Sequence, residues 1–334
     1  MKAVIHRAYG SPEKVLSLQE VEKPVPKDGE VLVRVRAASM HPDVWHVIAG
    51  YPAVLRLMGN GVRRPRLRIP GTDLSGVVES VGKNITRFKV GDSVFGESAK
   101  FGWLNGGAYA EFAAVPQDFL VLKPKNVAFE QAAAVPTAGM IALDNLGGAE
   151  RPRRQSVLIN GAGGCMGPIA VQIAKADGAS VTAVDCAEKL PMLQSLGADH
   201  VIDYKKEDYL QSGEHYDLII DVVSVRSHDE YKHALSTSGS YSPIGHAHYD
   251  NSSRRILGDM PYFVGLLLRA LLDREKRKNF KLLKKPEALA IFRDLLESGR
   301  LTPVVARTFP LSEVPSAMRC MQEGKTLGRV IITP

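Results

Sequence analysis

Cysteine is scarce: three residues in 334, at Cys165, Cys186 and Cys320. So few thiols build no disulfide framework, and no two of them form a C-x-x-C metal pair. The expected compartment is therefore the reducing cytoplasm. Long apolar runs are missing too. None reaches the ~20 residues of a membrane span, and the opening MKAVIHRA reads as a strand rather than a secretory leader. No internal repeat or low-complexity tract breaks the chain. Aromatic residues make up only 7% of it, and none are interleaved with an arginine-rich run, so no nucleic-acid partner is expected. Carboxylates are in deficit, 36 against 43 lysines and arginines, for a net charge of +7. That excess suits an anionic partner or a polyanionic cofactor equally.

What is present is a globular composition, 45% apolar and 24% charged, in a chain too long for one ordinary core, so two domains are expected. The first 125 residues are rich in strand signals. Val31, Val33 and Val35 alternate with Leu32, Arg34 and Arg36, and the runs Leu74–Val81, Asp92–Phe95, Tyr109–Val115 and Leu120–Lys123 follow, separated by turn residues. Residues 50–69 interrupt that rhythm as a loop with a short helix. From about 126 helices and strands alternate, through Ile219–Val223 and Ser240–Ile244, as in a doubly wound parallel sheet. The tail adds a helix near Pro315–Glu323 and a closing strand, GRVIITP, that resembles the first region more than the second.

The densest information lies in residues 156–185, SVLINGAGGCMGPIAVQIAKADGASVTAVD. A short apolar run meets a glycine cluster, then a helical pattern through Ile169, Ala170, Ile173 and Ala174, then a second apolar run ending on Asp185. This is a βαβ unit with a phosphate-binding turn at the first strand–helix junction. Gly161, Gly163, Gly164, Cys165, Met166 and Gly167 form the turn. Glycine is needed there because a side chain would hold a pyrophosphate off the backbone amides. The spacing is Gly161-x-x-Gly164-x-x-Gly167, with Met166 where a strict G-x-G-x-x-G places its last glycine. Asp185, at the tip of the second strand, is placed to accept the hydroxyls of an adenosine ribose. The motif points to a dinucleotide, hence to hydride transfer.

Seven segments then carry a resemblance: PGTDLSGVVESVG (70–82), RFKVGDSVFG (87–96), GAYAEFAAVP (107–116), AAAVPTAGMIAL (132–143), INGAGGCMG (159–167), LGADHVIDY (196–204) and LGRVIITP (327–334). The chain resembles the medium-chain dehydrogenase/reductase superfamily, and within it the zinc-free quinone oxidoreductase-like branch. The implied fold class is α/β: a Rossmann doubly wound parallel sheet domain at 126–299, and a GroES-like β-barrel domain at 1–125 completed by 300–334. Zinc relatives carry G-H-E where this chain has Gly71-Thr72-Asp73, and their four-cysteine loop is absent, so no metal is expected. The branch often has Asn-Pro-x-Asp where this chain has His41-Pro42-Asp43, and often a cleft tyrosine where it has Tyr51. The resemblance therefore implies Tyr51 or His41 as hydrogen-bond donor to a substrate oxygen, with Asp43 orienting the loop. Val223 and Gly245 stand on the expected nicotinamide path. Two departures lie near that path: Ile141 replaces the threonine of a common G-L-T-A segment, and Ser224-Val225 replaces Gly-Asn.

The expected activity is zinc-independent, NAD(P)H-dependent reduction of an α,β-unsaturated ketone or quinone. The alternatives are a metal-free reductase or dehydrogenase of a simple carbonyl or alcohol, and a weakly catalytic cofactor-binding protein whose basic surface meets RNA or membrane. Cofactor choice is a contest of charges: Asp185 repels a 2′-phosphate, Lys189, Lys205 and Lys206 attract one, and Tyr204 stands near the adenosine end, while the branch that the chain resembles leans to NADPH. The balance leans to NADH over NADPH. The expected partners are a small hydrophobic carbonyl substrate and a second copy of the chain, paired through the edge strand Gly239–Ile244. Segment 258–285 combines Phe263, Leu266, Leu267, Ala270 and Leu271 at helical spacing with many basic residues. It reads as a lid or packed helix over a pocket lined by 41–58 and 246–270, with peripheral membrane contact as the lesser alternative.

Overall fold

The computed structural model describes residues 1–57, 61–98, 106–148, 156–245, 261, 264–265, 268 and 283–334. Fourteen strands run in chain order among them: β1 (Lys2–His6), β2 (Leu16–Glu20), β3 (Glu30–Ser39), β4 (Asp73–Val81), β5 (Ser93–Glu97), β6 (Phe112–Pro116), β7 (Leu120–Leu122), β8 (Ser156–Asn160), β9 (Ser180–Asp185), β10 (His200–Asp203), β11 (Tyr216–Asp221), β12 (Leu235–Pro243), β13 (Val305–Pro310) and β14 (Arg329–Thr333). They fall into two compact units. One is Met1–Ala138 with Lys284–Gly299 and Pro303–Pro334; the other is Gly139–Leu283 with Arg300–Thr302.

The first unit is a β structure organised on β3. Val31, Val33 and Val35 are buried while Arg34 and Arg36 face water, because successive strand side chains point to opposite faces. β3 pairs antiparallel with β4, β6 and β14, and the sheet order is β13-β14-β3-β4-β5-β7. The C-terminal strand thus lies beside the N-terminal third of the chain. The helix Lys285–Glu297 and residues 126–138 belong to this unit, not to the second domain where the sequence places them. The cause is contact. The Asn126 amide donates to the carbonyl of Leu296 at 3.1 Å, Lys285 pairs with Glu97 on β5, and Ser75 donates to the Phe129 carbonyl at 2.6 Å. In the irregular stretch after Gly50, one helical turn closes through Arg56 N–H to the Ala53 carbonyl at 3.1 Å.

The second unit is a five-stranded parallel sheet in the order β10-β9-β8-β11-β12. Its strand centres are apolar on both faces, as befits a sheet covered by helices: Val157, Leu158, Ile159, Val181, Ala183, Leu218 and Ile219 are all buried. Helix Gly167–Ala176 connects β8 to β9. The register pairs Asp203 with Asp185, and Asp221 with both Asn160 and Pro243, at the carboxyl edge; Asn160 faces Val184, one residue short of Asp185. β12 lies at one end of the order.

Candidate functional site

The carboxyl edge of the parallel sheet is where ligands bind in doubly wound folds, and in this chain the glycine turn sits on that edge. Gly161 has φ +80°, a backbone region that side chains avoid. A Cβ on Gly167 would lie 2.2 Å from the Ala162 carbonyl oxygen, so only glycine lets the helix start this close to β8. The helix enters through Pro168 with no side-chain cap on Met166. Among the described residues no backbone carbonyl takes the amides of Cys165, Met166 or Gly167. Unpaired donors at the positive end of a helix form a cradle that fits a pyrophosphate.

The other cofactor candidates gather around this turn. Asp185 receives the Gly163 amide at 2.7 Å and the Cys186 amide at 2.9 Å. Lys189, one turn on, sets its ammonium 3.4 Å from the same carboxylate, with both side chains nearly closed to water. The two residues set against each other in cofactor choice are therefore one ion pair. The Tyr204 amide donates to the Asp185 carbonyl at 3.3 Å, and its ring is half exposed. Val223 packs where a Cβ on Gly161 would meet it at 2.9 Å, and a Cβ on Gly245 would strike the Val222 carbonyl. So all eleven lie along one edge of one unit.

Beneath that edge lies a residue the sequence did not single out. Asp221 is fully buried and accepts from Asn160 at 2.8 Å, the Val223 amide at 3.1 Å, the Ser224 amide at 2.9 Å and the Tyr241 hydroxyl at 2.9 Å. Four donors offset the desolvation of the carboxylate, and they bind the ends of β8, β11 and β12 together. The signal was an acid ending an otherwise apolar run, as at Asp185.

The catalytic candidates lie in the first unit, around helix Pro42–Ala49. His41 is its N-cap: Nδ1 accepts from the Asp43 amide at 3.3 Å and stands 3.3 Å from Asp43 Oδ2. Desolvation pushes the Asp43 carboxyl up, but His41 beside it, with His46 and Arg329, outweighs this and holds it below the usual carboxylate range. His46 donates through Nδ1 to the Tyr51 carbonyl at 2.7 Å. The Tyr51 ring meets Trp45 edge-on at 6.3 Å between centroids. His41, Asp43, His46 and Tyr51 therefore form one local cluster, fixed by the helix and the turn after it. Residues 246–260 of the expected pocket lining, and most of 261–282, lie outside the described residues.

Behind the cluster runs a buried polar chain, also missed. Asp73 accepts from Ser39 at 2.8 Å, from Arg329 at 2.9 Å and from the Thr137 amide at 3.2 Å, and it bonds the Thr137 hydroxyl as well. Thr137 reaches Glu97 at 3.3 Å, and Glu97 pairs with Lys285. Burial, then the nearby Asp73 charge, pushes the Glu97 carboxyl up. Asp73 and Arg329 are each closed to solvent, and Nε and Nη1 of Arg329 have no hydrogen-bond partner.

A Rossmann sheet with a pyrophosphate cradle, joined in one chain to a GroES-like unit, defines a nicotinamide-dependent oxidoreductase. Residues 27–125 match the family described as alcohol dehydrogenase GroES-like domain, and residues 196–332 that described as zinc-binding dehydrogenase. The chain is 30% identical to the chloroplast envelope quinone oxidoreductase homolog of Arabidopsis thaliana, over 100% of this chain and 98% of that one. It is also 30% identical to the NADPH-dependent alkenal/one oxidoreductase, chloroplastic, of the same plant, over 100% of this chain and 80% of the relative. The quinone oxidoreductase from Coxiella burnetii superposes with a TM-score of 0.79 at 26% identity, covering 100% of this chain and 99% of the other. The chain belongs to the medium-chain dehydrogenase/reductase superfamily, in its quinone oxidoreductase-like branch. No helix among the described residues is long and apolar enough to cross a membrane.

Proposed function

We propose that this protein is a zinc-independent reductase of α,β-unsaturated ketones or quinones that takes its hydride from NAD(P)H, with NADH favoured. The bound nicotinamide supplies a hydride to a substrate carbon. The protein must then stabilise and protonate the oxygen that becomes negative. The observation that carries this reading is the His41–Asp43 pair. While His41 is neutral with Nδ1 accepting from the Asp43 amide, Nε2–H can offer a hydrogen bond to a substrate oxygen. As an imidazolium, its Nδ1–H can donate to Asp43 Oδ2, at the same 3.3 Å. It is then the imidazolium that can give its Nε2 proton to an enolate or quinol oxygen, leaving a neutral ring whose Nδ1–H stays on Asp43. Tyr51 is the second donor we assign.

Zinc does not fit the residues at hand. Asp73, at the position of the family's G-H-E acid, has both oxygens taken by donors, one of them the Arg329 guanidinium. A metal there would face a buried cation, and a tetrahedral site needs three or four converging ligands. NADH preference is supported by the strand tips. Asp185 and Asp203 pair in register, and the buried Lys189 is already paired with Asp185, which leaves only the exposed Lys205 and Lys206 near the strand tips for a 2′-phosphate. Three unpaired thiols suit a reducing cytoplasm, and β12 at the sheet edge suits pairing with a second copy.

A panel of enones, quinones, simple aldehydes and alcohols, scored by cofactor oxidation or reduction with both dinucleotides, tests the reading. Enones or quinones should turn over fastest, and His41→Ala and Tyr51→Phe should each lower kcat. Unchanged turnover in both variants would remove them from the reaction. Preferential turnover of simple alcohols would overturn the enone assignment.

A further inference from the structure

We propose that the basic stretch 61–68, with Leu57, is a docking surface for the anionic headgroup layer of a phospholipid membrane. This does not rest on the reaction assigned above. Between Asp43 and Asp73 the chain carries five arginines, Arg56, Arg63, Arg64, Arg66 and Arg68, and no carboxylate. Arg63, Arg64, Arg66 and Arg68 are exposed, and none forms an ion pair among the described residues. A single exposed arginine needs no explanation. Four within six positions, with no acid paired to them among the described residues, create a positive surface that calls for an anionic partner.

The loop is pinned so that these heads stay outward. Arg56 donates to the Gly50 carbonyl at 2.8 Å, and its guanidinium lies 4.5 Å from the centre of the Tyr9 ring. The Tyr9 hydroxyl donates to the Gly61 carbonyl, and the Gly61 amide to the Arg56 carbonyl at 3.0 Å. Pro65 is buried, and the Arg68 carbonyl accepts the His6 amide at 2.8 Å. Both ends of the basic run are thereby fastened to the first unit.

Two aliphatic side chains decide the class of partner. Leu57 is 71% and Val62 61% exposed, among guanidinium groups where water gains nothing from them. Basic heads interleaved with exposed aliphatics match the boundary between lipid headgroups and acyl chains. Single-stranded nucleic acid is instead gripped by open aromatic faces between the cations. Among the described residues, the ring that meets this surface, Tyr9, is covered by Arg56.

The test is flotation of the full chain with vesicles of phosphatidylcholine alone and with about a quarter phosphatidylserine, in low and high salt. Binding should require phosphatidylserine and fall with salt. Each arginine near an anionic surface contributes roughly fivefold in partitioning, so Arg63→Gln with Arg64→Gln should weaken binding about 25-fold. Arg63→Glu with Arg64→Glu should abolish it. Leu57→Ser with Val62→Ser should weaken binding while leaving its salt dependence. Lys83→Gln with Lys89→Gln, the same charge change elsewhere on the first unit, should leave binding intact. Circular dichroism melts confirm that each variant is folded. Equal binding to neutral vesicles, no binding to anionic ones, or equal losses in the Lys83/Lys89 control would overturn the proposal. So would tighter binding of a labelled single-stranded oligonucleotide that the vesicles cannot displace.

Discussion

His6 should set the acid limb of this protein's stability. The residue ends β1, is fully closed to solvent, and neither ring nitrogen has a hydrogen-bond partner among the described residues. Burial with no compensating acceptor pushes its pKa from 6.5 down to about 4. In the unfolded chain the imidazole takes a proton near its ordinary value; in the folded chain it resists until far lower pH. Below about pH 6.5 the unfolded state therefore binds more protons, and stability falls as pH falls, levelling off near the folded pKa. At 1.36 kcal/mol per pKa unit the full penalty is about 3 kcal/mol, of which about 2 kcal/mol is felt by pH 5. His6→Leu removes both the penalty and an unsatisfied polar ring, so it should also stabilise the protein at neutral pH by about 1 kcal/mol. Urea unfolding of both proteins at intervals from pH 7.5 to 4.5 gives the difference directly, since every other titrating group cancels. The two curves should diverge steadily as pH falls. Parallel curves would refute the reasoning, as would an imidazole proton resonance of His6 that titrates near pH 6.5 in the folded state.

Four further outcomes are expected. Asp185→Ser should move preference toward NADPH by roughly tenfold, about 1–2 kcal/mol for one charge whose effect Lys189 partly offsets; an unchanged ratio of the two kcat/KM values would mean that Asp185 does not face the ribose. Arg329→Met leaves Asp73 buried without its cation and should cost about 3–5 kcal/mol in denaturant unfolding, so a loss below about 1 kcal/mol would show that the network is not a linked unit. Activity should survive dialysis against a chelator, and stoichiometric zinc by elemental analysis of the untreated protein would contradict that. Light scattering at micromolar concentration should give a dimer, and a charge on the β12 edge, Ser240→Lys, should split it; a monomeric parent would count against edge pairing.

The parts that could be read from the sequence share one property: their signals are local. The βαβ unit is legible because strand, turn, helix and strand follow one another within thirty residues, and β8 and β9 end where the apolar runs end, at Asn160 and Asp185. The ion pair of Asp185 with Lys189 was within reach for the same reason, four residues apart. What could not be read is what folding brings from afar. Nothing near Asp73 announces Arg329, and nothing near Glu97 announces Lys285. The positioning role of His46 is not legible because a histidine in a short helix is ordinary until its partner, the Tyr51 carbonyl, is known. The assignment of Lys285–Glu297 failed on this count too: its apolar face has no address until β7 and Asn126 are in place.

The long reach of the Asp73–Arg329 pair has a consequence for synthesis on the ribosome. The partners are 256 residues apart, and β14, which carries Arg329, is also the strand that joins β13 to β3. At 5–20 residues per second, Asp73 waits on the order of 13–50 s for its counter-charge. Once residue 243 has been made, the parallel sheet has all five of its strands, while the first unit still lacks β13 and β14. Translation thus imposes an order, the nucleotide-binding half first and its companion only when the last strand emerges. A chain released a few residues early would keep a completed dinucleotide cradle beside a companion with an open β3 edge and a stranded carboxylate, a species that quality control could distinguish from the finished protein.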